Sequence, residues 1–255
     1  MSGHEPREPH EPHEPFAADE GDDDERSVAP IESAASQTRR LLLIAAGAGL
    51  AYGVSLRDAP YPDQAAAKVL MCGLLLLAAA RLEPMRERVK LMIALAASAV
   101  GDALLALPQL GFSFVGGLGA FLLAHLAYCT LFAPRAARPD GWRRVALPLL
   151  WAAAVAMYAL FFHNLGPLAV PVAVYIAAVC AMASLALLAR PSSPLLPLGG
   201  LAFVASDAMI GFDRFVGAFA GSTYAIWCTY AVAQVSIAAG ILIFGQQDES
   251  SARPV

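Results

Sequence analysis

A chain of 255 residues with 58% hydrophobic side chains and only 15% charged ones departs from soluble averages toward an integral membrane protein. The formal charge of -4 misleads, because acidic residues crowd ahead of residue 39 and the body that follows is mildly basic; nucleic acid is excluded as a partner class. All four cysteines, Cys72, Cys129, Cys180 and Cys228, fall in apolar spans where lone buried thiols are common, so they specify neither a disulfide framework nor a redox compartment.

The chain opens on a tail over residues 1–38. The repeats His4-Glu5-Pro6, Arg7-Glu8-Pro9, His10-Glu11-Pro12 and His13-Glu14-Pro15 precede an acidic run. Such a composition buries too little apolar surface to fold, which predicts an extended, disordered segment. A metal-binding histidine tract is the weaker reading, since proline recurs every third residue. No apolar signal core precedes residue 41, so the first span is expected to act as its own insertion signal.

From Leu41 the hydropathy predicts an all-α polytopic membrane bundle of about eight helices, over 41–57, 64–82, 89–107, 112–132, 143–162, 166–189, 195–213 and 221–244. Each approaches the ~20 residues that cross ~30 Å of hydrocarbon. Proline-rich breaks at Pro60 and Pro62, Pro84, Pro108, Pro134 to Pro139, Pro167, and Pro191 to Pro194 separate them. The membrane body is thus expected over 39–245, with a short polar tail at 246–255. Basic residues gather on alternate loops: Arg39 and Arg40, then Arg81, Arg86, Arg88 and Lys90, then Arg135, Arg138, Arg143 and Arg144, then Arg190. The opposite loops hold only Arg57 and Arg214. By the positive-inside rule both termini are cytoplasmic.

Asp102 and Asp207 each sit inside an apolar run long enough to cross a bilayer. A carboxylate there is costly and is kept for a partner, a cavity or a task, so both are candidate functional-site residues. Gly101-Asp102-Ala103-Leu104-Leu105-Ala106-Leu107 matches Ser206-Asp207-Ala208-Met209-Ile210-Gly211-Phe212 in pattern. Their helices run the same way, which predicts similar depth in the outer half and raises the possibility of a four-plus-four internal repeat. Lys68 comes close to that level.

On the fourth helix Gly117, Phe121, His125 and Tyr128 share one face. His125 either takes part directly or hydrogen-bonds a helix backbone or Tyr128 and orders the packing. Haem ligation lacks a second histidine within a span. Tyr230 and Gln234 lie one turn apart on the eighth helix, where they either line a cavity or join helices by hydrogen bonds. Ser98 and Ser206, beside the two aspartates, either bond a carboxylate or cap a backbone carbonyl, the second being the commoner role.

The run Ser98-Ala99-Val100-Gly101-Asp102-Ala103-Leu104-Leu105, followed by Gly116 to Tyr128 with His125 inside it, resembles the YhhN family of lysoplasmalogenases. Gly200 to Asp207, then Arg214-Phe215, Tyr230 and Gln234, resemble that family's second half in order and spacing. The likeness spans about residues 64–244, with two departures: Val69 follows Lys68 where relatives often carry proline, and Asp213 stands where asparagine is usual. The resemblance implies hydrolysis of the vinyl ether bond of lysoplasmalogens to a fatty aldehyde and a glycerophospho-base.

That chemistry suits paired carboxylates. An acid protonates the alkene carbon remote from oxygen, and water captures the resulting oxocarbenium ion, so the site wants one protonated carboxyl and one carboxylate, as in glycosidases. Asp102 is expected as the acid and Asp207 as the carboxylate. Arg214, seven residues beyond Asp207 and on nearly the same helical face, is expected to support it and meet the substrate phosphate, or else to anchor the helix at the interface. Lys68 has the same range of roles. No cofactor or metal is called for; the expected partners are a lysophospholipid substrate and membrane lipids, with oligomeric state open. The alternative is a proton-coupled small-molecule carrier using the same carboxylates, against which stands the lack of mid-helix Gly-Pro interruptions.

Overall fold

The computed structural model describes residues 22–82, 85–190 and 193–243, with side chains described from residue 36 onward. Eight α-helices make up the described chain: α1 (Asp22–Ser55), α2 (Gln64–Ala79), α3 (Met85–Leu105), α4 (Ser113–Phe132), α5 (Arg143–Leu165), α6 (Ala169–Leu188), α7 (Leu195–Phe215) and α8 (Ser222–Leu242). Backbone groups in lipid must find partners within their own segment, which is why apolar runs of this length fold as helices. Five segments are long and apolar enough to cross a membrane: Ser36–Asp58, Ser113–Arg135, Arg143–Leu188, Leu195–Phe215 and Ser222–Leu242. The third of these contains both α5 and α6. α2 is apolar but short, and α3 carries Arg86, Glu87, Arg88 and Lys90 in its first two turns. Eight helices are therefore present among the described residues, while length and apolarity alone single out five segments rather than eight separate crossings.

α1 corrects one expectation. Residues 22–38, expected to be extended, continue the first helix toward the N-terminus. Once a helix is nucleated, each added residue other than Pro30, which has no N–H, gains a hydrogen bond without repeating the nucleation cost. The His-Glu-Pro repeats at 4–15 and the C-terminal tail at 246–255 lie outside the described residues.

Helix packing runs in a ring: α1 on α2, α2 on α3, α3 on α4, α4 on α6, α6 on α7, α7 on α8, and α8 back on α1. α5 sits outside this ring against α6 and α7. Small residues permit the closest approaches, the usual basis of helix association in membranes. A Cβ on Gly101 would come within 2.6 Å of the Phe121 ring, and one on Gly117 within 2.8 Å of Leu105. Glycine at these two positions lets α3 and α4 draw together, while Asp102, next to Gly101, turns toward α2 and α8.

The basic residues collect at one end of the bundle and tie it together. Lys90 Nζ donates to the Thr130 carbonyl at 3.0 Å, Arg135 meets Glu87 at 2.6 Å, and Arg143 Nε donates to the Leu187 carbonyl at 2.7 Å. Asp140, in the loop between α4 and α5, accepts from Arg190 at 2.6 Å and from Arg143 at 3.1 Å. Backbone bonds from Ala137 to Leu188 and from Arg190 to Arg135 complete this staple.

Candidate functional site

Asp102 lies one turn from the end of α3 and is almost fully buried. Tyr230 Oη donates to its Oδ2 at 2.6 Å, the Cys72 thiol reaches the same oxygen at 3.6 Å, and Lys68 Nζ stands 3.5 Å from Oδ1. Both carboxylate oxygens are thus engaged. Behind Tyr230 a buried chain continues: Gln234 Nε2 donates to Tyr230 Oη at 3.2 Å, and Tyr128 Oη donates to Gln234 Oε1 at 2.7 Å. A polar group buried in hydrocarbon is tolerated only with such partners.

Asp207, two turns from the end of α7, has a different shell. Its Oδ2 accepts from Tyr175 Oη at 2.8 Å and lies 3.0 Å from His125 Nε2. His125 Nε2 is also 3.1 Å from Tyr175 Oη, while Nδ1 is buried and has no partner among the described residues. With the tyrosine hydroxyl spent on the carboxyl, a hydrogen on His125 Nε2 makes the second donor to Oδ2. No described residue bonds Asp207 Oδ1.

Phe203 joins the two shells. It is fully buried, and its ring meets those of His125, Tyr128, Phe121 and Tyr230 edge-on at centroid distances of 4.7, 6.4, 6.2 and 5.5 Å. These contacts fix the rotamers of the groups that hold the aspartates.

Two cavities meet at Asp207. One is lined by both aspartates together with Lys68, Ser206, Thr223, Tyr52, Trp227 and Tyr230. The other lies between α4, α5, α6 and α7 and has an almost wholly apolar wall in which Asp207 and Tyr175 are the polar exceptions. Leu105, Phe121, Asp207 and Ile210 border both. Among the described residues no group of three or more His, Cys, Asp or Glu side chains is placed to hold a metal ion.

The YhhN family model matches residues 64–241. The chain belongs to the YhhN family. Proteins named lysoplasmalogenase in Mycobacterium bovis and Mycobacterium tuberculosis are each 40% identical over 229 residues, covering 83% of this chain and 87% of theirs. A Bos taurus lysoplasmalogenase is 32% identical over 158 residues, 58% of this chain and 63% of its own. No solved structure matches. Every residue of the two aspartate shells falls within the YhhN match.

The structure brings most of the expected site residues of this YhhN chain together and separates a few. Lys68, Tyr230, Gln234 and Tyr128 gather behind Asp102, and His125 joins Asp207 instead of Tyr128 or a backbone carbonyl. Arg214 does not reach Asp207; its guanidinium lies over the Phe114 ring at 4.8 Å, which is the anchoring alternative. Ser206 Oγ donates to the Ile226 carbonyl at 3.1 Å, and Ser98 Oγ is buried without a partner among the described residues, so neither serine bonds a carboxylate. Cys72 and Tyr175 escape the sequence reading because thiols and phenols are ordinary in apolar helices. For Cys72 the available signal is its place one turn after Lys68.

Proposed function

We infer that this chain is a multi-pass hydrolase of the cell membrane that cleaves the vinyl ether bond of lysoplasmalogens to a fatty aldehyde and a glycerophospho-base. One observation carries this reading: two intramembrane aspartates line one cavity, and Asp207 also borders an apolar one. A vinyl ether lipid has its reactive carbons where a hydrocarbon chain meets a polar head, so an acid at the junction of an apolar and a polar space is placed for it. The relatives named lysoplasmalogenase support the substrate class.

Asp207 is the acid in this scheme and Asp102 the carboxylate, the reverse of the assignment the sequence suggests. Tyr175 and His125 both bond Oδ2 of Asp207, which leaves Oδ1 to hold the proton toward the cavity. That proton passes to the alkene carbon remote from the ether oxygen, and the π electrons form the C–H bond. Asp102 faces the oxocarbenium ion and accepts a proton from the water that attacks the carbon bearing oxygen. Collapse of the hemiacetal breaks the bond to the glycerol oxygen, which takes the proton from Asp102, while the hemiacetal hydroxyl gives its proton to Asp207 as the aldehyde carbonyl forms; one water is consumed and both carboxyl groups return to their starting states. Lys68, on the wall of the same cavity, holds Asp102 in place and offers a charge to the substrate phosphate.

Asp102→Asn and Asp207→Asn preserve size and remove proton exchange. Each is expected to lower aldehyde release at least ~100-fold, the usual loss for a general acid or base. The double variant should be little worse than either single one, because members of a catalytic unit are strongly non-additive. Thermal unfolding is followed in parallel, since an amide in place of a buried charge can stabilise. Near-normal turnover by either folded variant overturns the scheme.

A further inference from the structure

The apolar cavity lies beside the site that holds the two carboxylates, and the acid–base scheme gives it no task. Its α5 wall runs from Leu150 to Phe161, about 16 Å at ~1.5 Å of rise per residue. A space lined by aliphatic and aromatic groups offers few polar partners to water and suits an apolar guest. Asp207 and Tyr175 stand in its wall where it adjoins the polar cavity. A hydrocarbon chain lying in it therefore brings its first carbons against the Asp207 carboxyl.

The wall narrows and widens with side-chain size. Ala153 and Ala154 on α5 and Val179 and Cys180 on α6 line its portion nearer the basic end, beyond Asp207, with Leu150 at the limit. Two adjacent alanines on a helix that otherwise presents Leu150, Met157 and Phe161 to this space leave the wall least filled there. α5 lies outside the helical ring and packs on α6 and α7, so its side chains can change the width of the cavity without disturbing the shells of the two aspartates.

We propose that this cavity is the binding site for the alkenyl chain of the substrate, and that Ala154 and Leu150 set which chain lengths are accepted. The inference rests on the lysoplasmalogenase reading. It goes further in assigning the chain to one named space and selectivity to two residues away from the chemistry.

The test compares purified wild type, Ala154→Phe and Leu150→Ala on hexadecenyl and octenyl lysoplasmalogens in the same detergent, reading kcat and KM for aldehyde release. A methylene or two in an apolar pocket is worth roughly tenfold or more in kcat/KM. Ala154→Phe is expected to lower the hexadecenyl-to-octenyl ratio of kcat/KM about tenfold, mainly through KM, and Leu150→Ala to raise it. The saturated hexadecyl ether analogue, which has no alkene to protonate, gives a second readout: it should raise the unfolding temperature of wild type and do so less for Ala154→Phe. If Ala154→Phe does not fold, Leu150→Ala and the analogue decide. An unchanged chain-length ratio in the folded variants, with wild type active, overturns the chain site and leaves the enzymatic reading standing. Absence of aldehyde from wild type with either substrate overturns the enzymatic reading itself, and the chain site with it.

Discussion

Asp207 shares one carboxylate oxygen between a tyrosine and a histidine, and that sharing makes a measurable demand on both. Tyr175→Phe removes one donor, and His125→Gln keeps an amide N–H in place of the ring N–H. Each variant should lose about tenfold in kcat with KM little changed, a smaller loss than that of Asp207→Asn, as suits a hydrogen bond that orients the acid. Steady-state kinetics on the purified proteins checks this; a loss in His125→Gln as deep as that of Asp207→Asn would make the ring itself the proton carrier. Charged and imidazole groups inside apolar runs announce themselves in a sequence, which is why Asp102, Asp207, Lys68 and His125 are all legible there. Tyr175 is not, because a phenol in a membrane helix has many uses and only the fold brings it to Asp207. Arg214 misleads for a related reason: a seven-residue spacing puts it on nearly the same face as Asp207, yet its long side chain at the helix end settles on Phe114.

The α3 and α4 pair closes through two glycines, one of them beside Asp102. Gly101→Leu would drive a side chain into Phe121, whose ring packs on Phe203 and Tyr230. Overpacking of this kind costs about 1–3 kcal/mol, so the variant should unfold several degrees lower and lose activity through displacement of the Tyr230 bond to Asp102. At the basic end, hydrogen bonding from Arg190 holds the Asp140 carboxyl below the usual carboxylate range, with Arg143 adding to the effect. A group whose folded value is depressed stabilises above its ordinary value and loses that contribution as pH falls through the folded one. The difference in unfolding temperature between wild type and Asp140→Asn should therefore be small at neutral pH, because the pair is exposed, and should vanish under acid. A difference that persists below the carboxylate range would assign the effect to packing. Helix existence and order were legible from hydropathy and proline breaks. The start of α1 was not, because composition cannot say how far a nucleated helix continues past its apolar run.

For the whole molecule, the gathering of Lys90, Arg135, Arg143 and Arg190 at one end supports a cytoplasmic assignment for that end. With the native cysteines replaced, Gln109→Cys should react with an impermeant thiol reagent outside intact cells and Ala137→Cys should not. The opposite pattern would invert the protein and move the shared cavity to the cytoplasmic half. The ring closure of α8 on α1 and the meeting of two cavities at Asp207 were beyond the sequence, since hydropathy orders helices along the chain but does not choose their neighbours across the bundle. The central claim is that the protein hydrolyses a vinyl ether by proton transfer to carbon, and isotopic labelling tests it most directly. Purified wild type is incubated with a lysoplasmalogen in D₂O, and the aldehyde is trapped as it forms and weighed by mass spectrometry. The account predicts one deuterium on the carbon next to the carbonyl; no aldehyde, or an aldehyde without deuterium there, would contradict it.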